Sequence, residues 1–197
     1  MSNNKELTAA SIDTKDLIID TAENLFAQFG YLGVSMMDIA SSLGITKAAL
    51  YYHFNSKEKI YLEVLDGAFE EFSETIQKVI DNKNLSIEER FRKTVATYLD
   101  FCLEKRDLAK LTMQKLSKDN DSIVNFVSEL KIKIIRQLEP TVKEFLVYKK
   151  RNRLINSKIA TYLLSGMLNT FILGEIVEGG KNWKAKDILK QIERLFF

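Results

Sequence analysis

The sequence predicts an all-α fold: a small N-terminal domain of three helices that contains a helix-turn-helix, then a C-terminal antiparallel helical bundle, about nine helices in total. Apolar residues recur at helical spacing along nearly the whole chain. No segment alternates apolar and polar residues between hairpin turns, as half-buried strands do. A single proline in 197 residues leaves long stretches without a helix breaker.

The first helix is predicted from an apolar face that ends at a glycine. Ile18, Ala22, Leu25 and Phe29 fall on one side of a helix. Gly30 follows directly and is predicted to stop the helix, because glycine readily takes the left-handed conformation found after many helix ends.

The next segments are short and closely punctuated, which predicts the helix-turn-helix. Ser35 and Asp38 have the spacing of a capping box, so a helix should begin at Ser35. Gly44 suits the left-handed residue of a tight turn, and Thr46 suits the N-cap of a second helix. The residues predicted to pack the second helix across the first are Ile45, Leu50 and Phe54.

From Lys57 onward the predicted helices are long and amphipathic. Pro140 is expected to kink or break one of them, because proline lacks an amide proton and clashes with the preceding turn. The predicted apolar stripes are Ile87, Phe91, Val95, Tyr98 and Cys102; Ile123, Phe126, Val127, Leu130, Ile134 and Leu138; and Ile188, Ile192, Leu195 and Phe196. We therefore divide the chain into residues 1–56, whose residues 1–13 are expected to form a flexible arm, and residues 57–197, with the helix near Lys57 belonging to both.

Composition and charge exclude several classes of protein. The formal net charge of +2 does not by itself indicate a nucleic-acid partner. A lone cysteine, Cys102, cannot form an intramolecular disulfide, and residues 1–16 lack the features of a signal peptide. We therefore expect a cytoplasmic protein. Residues 159–177 are apolar but include Ser165, Asn169 and Glu175, so we expect a buried helix and no membrane partner.

A basic run precedes that apolar segment. It consists of Lys149, Lys150, Arg151 and Arg153. Such a run could contact phosphates or lipid, but a solvated loop is the simpler interpretation.

The outward residues of the second helix of the helix-turn-helix are types that bind phosphates. Lysine supplies charge, tyrosine and histidine donate hydrogen bonds, and helix N-termini favour anions. Residues 41–59 contain Lys47, Lys57 and Lys59 against Glu58, a local charge of +2, whereas residues 1–59 are net −2 because five lysines face seven acids. The positive field should therefore be confined to the exposed side of this second helix and the start of the next.

Several short motifs together resemble the TetR family of transcriptional regulators. They are Gly30–Tyr31, Val34–Ser35, Ile39–Ala40 and the run GITKAALYYHF from Gly44 to Phe54. The resemblance covers about residues 15–65, a third of the chain. It implies a homodimer that binds double-stranded DNA at a palindromic operator on the bacterial nucleoid, with repression relieved by a small molecule.

The resemblance also implies the DNA-binding residues. Phosphate contacts are expected from Ser35, Tyr51, Tyr52, His53 and Lys57, and base contacts from Lys47, Ala48 and Ala49 behind the N-cap Thr46. Family members often have two hydroxyl residues at the positions of Val34 and Ser35, and a cation near Met36 or Met37. The two methionines predict fewer guanine contacts and more dependence on DNA shape and thymine methyl groups.

The C-terminal domain is expected to hold an apolar or aromatic effector. The candidate pocket residues are Phe91, Tyr98, Phe101, Cys102, Met113, Phe126, Tyr162, Met167 and Asn169. Thr94, Thr97 or Glu175 could orient the ligand. Apolar residues at this spacing are also what an ordinary core requires, and a buried Cys102 would be an inert thiol.

The resemblance places the dimer interface on the last two long helices. The small residues Ser165 and Gly166 would permit close helix approach there. The apolar candidates are Phe171, Ile188, Ile192, Leu195 and Phe196.

Two alternatives to a ligand-controlled regulator were considered. One histidine and one cysteine, with no glycine-rich phosphate loop, argue against an enzyme and against a metal site or other cofactor. A TetR-like DNA-binding protein controlled by a protein partner, as in nucleoid occlusion, remains open, and a packed core without a cavity would favour it.

Overall fold

The computed structural model describes residues 3–106, 109, 112, 121–177 and 185–196. These residues form eight helices and no strand, so the all-α prediction is confirmed. The helices are α1 (Asn3–Gly33), α2 (Met36–Leu43), α3 (Lys47–His53), α4 (Lys57–Ile80), α5 (Ile87–Glu104), α6 (Asp121–Tyr148), α7 (Ser157–Val177) and α8 (Ala185–Phe196).

The chain forms two compact units. The N-terminal unit comprises residues 1–68 and 114–126, and the C-terminal unit comprises residues 69–113 and 127–197. Helix α4 therefore contributes to both units. The division falls after Ala68 because the first turns of α4 bury Ile60, Tyr61 and Val64 in the N-terminal core.

The apolar face of α1 differs from the predicted one at its end. Ile18, Ala22 and Phe26 are fully buried, whereas Phe29 is 56% exposed. Gly30 has a φ of 72° and interrupts the helix, as predicted. Because the chain turns there, Tyr31 is buried in place of Phe29.

Three aromatic rings form the centre of the N-terminal core. Tyr61 lies edge-on to Phe26, with ring centroids 5.1 Å apart, and 4.7 Å from the ring of Tyr31. Such pairs add roughly 1 kcal/mol each to the gain from burial. They fix α4 against both parts of α1, on either side of Gly30.

The core of the C-terminal unit is built from all of its helices. Phe91 stacks on Phe145 at 4.2 Å, joining α5 to α6. The other buried members are Phe72, Ile76, Val95, Tyr98, Leu99, Leu138, Val142, Leu146, Leu164, Leu168, Ile172, Ile188 and Ile192. The predicted stripe on α5 is confirmed, with Ile87 and Cys102 partly buried at its two ends.

Helix α6 continues through Pro140, so of the two predicted alternatives, a kink or a break, the break does not occur. One helix continues from Asp121 to Tyr148 with Pro140 inside it. The proline is exposed, whereas Leu138, Val142 and Phe145 around it are buried. A break would remove Val142 and Phe145 from the core. Their burial offsets the backbone hydrogen bond that the proline cannot form.

Hydrogen bonds of polar side chains also join the helices of the C-terminal unit. The amide of Gln137 donates to the carbonyl of Ser73 at 2.8 Å and to Gln77 Oε1 at 3.0 Å. The guanidinium of Arg90, 6% exposed, donates to Glu144 at 2.9 Å and lies 3.5 Å from the carbonyl of Ile80 at the end of α4. None of the described helices is long and apolar enough to cross a membrane.

Candidate nucleic-acid interface

Helix α2 begins with the predicted capping box. The Ser35 hydroxyl accepts from the Asp38 amide at 3.2 Å, and Asp38 Oδ2 accepts from the Ser35 amide at 2.8 Å. The same carboxylate accepts the hydroxyl proton at 2.7 Å, so these bonds hold the pKa of Asp38 below its usual value. Ser35, predicted to contact phosphate, therefore already gives both of its donors to Asp38.

The turn between α2 and α3 has the predicted left-handed glycine. Gly44 has a φ of 66°, and its amide donates to the carbonyls of Ala40 and Ser41. The Ile45 amide donates to Ala40 as well, at 3.0 Å. Thr46 then caps α3 by accepting from the Ala49 amide at 3.1 Å. The predicted helix-turn-helix is confirmed.

One side of α3 is fixed and the other is exposed. Leu50 and Phe54 are buried and hold the helix in the N-terminal core. Tyr52 is 83% exposed, and its ring lies edge-on to that of half-buried His53 at 5.2 Å. The remaining exposed residues are Thr46, Lys47, Ala48, Ala49 and Tyr51. The structure thus brings most of the predicted DNA-binding residues onto one surface, which we call the reading surface.

Lysines around the reading surface differ in how freely they can meet a phosphate. The ammonium of Lys47 is 5.6 Å from the ring centroid of Tyr51 and is exposed. Lys59 instead pairs with Glu63 at 2.9 Å. Lys15 pairs with the same carboxylate at 3.2 Å and lies over the ring of Phe54. Sequence reasoning missed Lys15, because its partners lie more than 35 residues away along the chain.

Lys57 is held by the backbone that precedes α2. Its Nζ donates to the carbonyls of Tyr31 and Val34, both at 2.8 Å, and lies 4.2 Å from the ring centroid of Tyr31. Burial lowers its pKa, and nearby Asp38 opposes that effect. Because an ammonium has three donors, one is left for a phosphate. The predicted phosphate contact of Lys57 stays a prediction for that one donor.

The two methionines of α2 have different surroundings. Met36 is buried, whereas Met37 is 52% exposed. Only Met37 is therefore available to the edge of a base, and it offers no hydrogen bond to guanine. The small side chains of Ala48 and Ala49 are exposed on α3, as a close approach to DNA would require.

The candidate effector residues are only partly brought together. Phe91 and Tyr98 line a small cavity in the C-terminal unit, with Thr94, Val95, Leu138, Thr141, Val142, Leu164 and Leu168. Asn169 accepts from the Tyr98 hydroxyl at 2.6 Å. The cavity volume is about 10 Å³, enough for about one water molecule.

The other pocket candidates lie elsewhere. Phe101 and Cys102 pack against the core, and burial raises the pKa of Cys102 to about 12. Tyr162 and Met167 are 46% and 41% exposed on α7, which corrects their placement in the pocket. Phe126 belongs to the N-terminal unit, and Met113 lies outside the described residues.

The predicted dimer residues also need correction. Ile188 and Ile192 are buried in the core of the same chain, since α8 turns its apolar face inward. Ser165 is buried as well, and Phe171 packs against that core. The side chains of Leu195 and Phe196 lie outside the described residues. Of the predicted set, Gly166 lies on an exposed face.

Helix α7, one of the two helices predicted to form the dimer interface, has an exposed apolar stripe that shares only Gly166 with the predicted residues. Ile159, Leu163 and Leu173 are 60%, 59% and 42% exposed. Together with Tyr162, Gly166, Met167 and Thr170 they occupy one side of the helix, opposite Leu164, Leu168 and Ile172. A β-carbon added at Gly166 would meet nothing within 4 Å. The helix is apolar on both sides, so periodicity could not separate the two faces.

Comparison with known proteins relates both parts of the chain to bacterial regulators. Residues 18–64 match the model of the family described as bacterial regulatory proteins, tetR family. The biofilm operon icaADBC HTH-type negative transcriptional regulator IcaR of Staphylococcus aureus is 43% identical over 74 residues, which are 38% of this chain. The chain covers only 40% of the length of that relative.

Solved structures extend the similarity to nearly the whole chain. A putative fatty acid metabolism regulator of Clostridium perfringens superposes with a TM-score of 0.70 at 25% identity, covering 89% of this chain and 94% of that one. The fatty acid degradation regulator FadR of Bacillus halodurans has a TM-score of 0.78 at 19% identity, covering 92% and 93%. This chain therefore belongs to the tetR family of bacterial regulatory proteins.

Proposed function

We propose that this chain is a transcriptional repressor that binds a palindromic operator in double-stranded DNA as a homodimer. The observation that carries the proposal is the reading surface, where a capped and tightly packed α3 exposes Lys47, Ala48, Ala49, Tyr51 and Tyr52 together. Side chains exposed at little cost to the fold are available to phosphates and base edges. The name of the Staphylococcus relative, a negative transcriptional regulator, supports repression.

Selection of bound sequences from a random pool of duplex DNA tests this proposal. A homodimer should recover a palindrome whose half-sites are centred about 10 base pairs apart or a multiple of that. Recovery of sequences without two-fold symmetry would overturn the operator proposal and the homodimer together.

Tyr52→Ala tests the reading surface directly. The hydroxyl and most of the ring are exposed, so the free energy of unfolding should change by less than about 0.5 kcal/mol. Operator affinity, measured by fluorescence anisotropy, should fall at least several-fold. Leu50→Ala is the contrasting variant, because it should reduce affinity only by unfolding the domain.

For dimerisation we propose the exposed stripe on α7. Seven residues with few polar atoms form a continuous side of the helix, and Gly166 would allow a second helix to approach closely. Leu163→Glu should give a monomer in sedimentation velocity, whereas Gln191→Glu on the polar face of α8 should leave the dimer intact. A dimer in both variants would refute this interface.

We further propose that an apolar or aromatic effector enters the C-terminal unit beside Tyr98 and Asn169. The cavity lining is apolar, and the hydrogen bond between these two residues could be exchanged for one to a ligand. The core would have to open, because about 10 Å³ is far below the 300 Å³ or more of typical ligand pockets.

That small volume also favours the second candidate, control by a protein partner. The two can be separated by adding fractions of a cell extract to the protein–operator complex. Release by a dialysable, protease-resistant fraction would support an effector. Release only by a protease-sensitive fraction that does not dialyse would support a partner. Neither mode of control assigns a catalytic role to any residue. In both, the proposed repressor binds DNA of the bacterial nucleoid in the cytoplasm.

A further inference from the structure

The turn between α6 and α7 carries concentrated positive charge on a well-exposed loop. Residues 145–174 contain no acid, whereas five cations lie between Lys149 and Lys158. Lys150, Arg151, Arg153 and Lys158 are exposed, and none of them forms an ion pair with the described part of the chain. We call residues 147–158 the basic turn.

Two of the acidic groups beside the basic turn are paired with cations, and a third, Glu139 on α6, accepts from the hydroxyl of Ser157 at 3.1 Å. Glu88 on α5 pairs with Arg92 at 3.2 Å and with Lys149 at 3.5 Å. Glu144 on α6 pairs with Arg90 at 2.9 Å. Four exposed cations therefore face one carboxylate, that of Glu139, outside these ion pairs, so the basic turn keeps a net positive field in the described part of the chain.

Apolar side chains are exposed among these cations. Leu154 is 84% exposed at the centre of the turn, and Val147 and Tyr148 at the end of α6 are 52% and 51% exposed. A leucine with this exposure buries little apolar surface within the described part of the chain. It would gain free energy only by entering an apolar environment supplied by a partner.

The backbone at Lys150 is strained at the end of α6. Lys150 has a φ of 57°, a left-handed conformation that glycine adopts without strain. It ends α6: the Arg151 amide donates to the carbonyl of Leu146 at 2.8 Å, and the Lys150 amide donates to Val147 at 3.0 Å. Lys150 thus takes a backbone conformation that costs a residue with a side chain roughly 1 kcal/mol.

We propose that the basic turn docks on the surface of an anionic phospholipid membrane. Clustered cations beside exposed leucine and tyrosine suit a lipid interface, where the charges meet headgroups and the apolar side chains enter the acyl boundary. Duplex DNA would use the cations but would leave Leu154 without an apolar partner. The structure thereby alters the expectation of a merely solvated loop.

Binding of the full chain to vesicles tests the proposal. Sedimentation with phosphatidylcholine vesicles that contain phosphatidylglycerol should carry the protein down, and pure phosphatidylcholine vesicles should not. Neutralising Lys150, Arg151 and Arg153 together should weaken binding about 100-fold, at about fivefold per cation. Leu154→Ser should weaken vesicle binding several-fold, with little effect on the salt dependence of that binding.

A control variant removes the same charge elsewhere. Lys143, Lys186 and Lys190 are exposed on α6 and α8, and replacing them with glutamine should leave vesicle binding within about fivefold of the wild type. Equal losses for the two triple variants would overturn the proposal. So would a loss confined to duplex DNA of random sequence, or a change from dimer to monomer in the basic-turn variant.

Lys150→Gly separates binding from folding. It should raise the midpoint of thermal unfolding because the left-handed strain is relieved, and it should still weaken vesicle binding about fivefold. Unchanged vesicle binding would count against the proposal. Operator affinity should stay at the wild-type value in every basic-turn variant, so failure of this proposal would leave the DNA-binding proposal untouched.

Discussion

Replacing Lys57 by methionine removes the ammonium group while it keeps an aliphatic side chain of similar length. The wild-type ammonium donates to the carbonyls of Tyr31 and Val34 and lies over the Tyr31 ring. These contacts join the first turn of α4 to the segment between α1 and α2. The variant should therefore lose stability in the N-terminal unit even in the absence of DNA.

The expected loss is about 2 kcal/mol. A hydrogen bond from a charged donor contributes about 1.5 to 3 kcal/mol, and we take the lower value for the pair because the site is half-buried and water can reach the two carbonyls. The contact with the ring adds about 0.5 kcal/mol at a site of this exposure. Urea unfolding followed by circular dichroism measures the sum.

Lys59→Met is the matched control. Its pair with Glu63 is an exposed contact between residues four apart on one helix, so its removal should cost no more than about 0.5 kcal/mol. The two variants lose the same charge two residues apart. A difference in their stability therefore reports the backbone contacts of Lys57 and not its charge.

The salt dependence of operator binding provides the result that would refute this reasoning. If Lys57 served only as a phosphate ligand, Lys57→Met would lower the salt slope by about one per half-site and leave the free energy of unfolding unchanged. Those two observations together would refute the structural role derived from the 2.8 Å contacts. A stability loss with an unchanged slope would mean that its third donor does not reach DNA.

Three further predictions follow from local geometry. Gly44→Ala should cost about 1 kcal/mol in a thermal unfolding experiment, through its φ of 66° alone, since an added β-carbon meets nothing within 4 Å. Tyr98→Phe should lower the free energy of unfolding by about 1 kcal/mol, because it leaves the half-buried Asn169 oxygen without its donor at 2.6 Å. The pKa of Asp38 is lowered from 3.8, so the stabilisation from the capping box is present above that pH and is lost as the pH falls through the folded-state value; Asp38→Asn should remove this acid dependence.

The features that were predicted correctly are those fixed by residues close together in sequence. Ser35 with Asp38, and Thr46 with the start of α3, are hydrogen-bonding patterns completed within three residues. Gly30 and Gly44 act through their own φ angles. The exposed side of α3 follows because Leu50 is the one buried position in that short helix.

Tertiary structure decided which partner each apolar face meets. Periodicity shows that α7 and α8 have apolar residues, but it cannot show that Ile188 and Ile192 enter their own chain's core while Leu163 stays outside. For the same reason it could not show that α6 continues through Pro140, since neighbours on other helices hold the residues that follow it.

Most helices, their caps and the helix-turn-helix could therefore be predicted from the sequence, because they depend on short-range hydrogen bonds and backbone conformation. The contacts of Lys57 and the identity of the exposed apolar side chains depend instead on tertiary packing. The carbonyls that hold its ammonium lie 23 and 26 residues earlier in the chain, and no local pattern specifies that approach. The exposure of Leu154 and of the α7 stripe likewise depends on where the other helices end and pack.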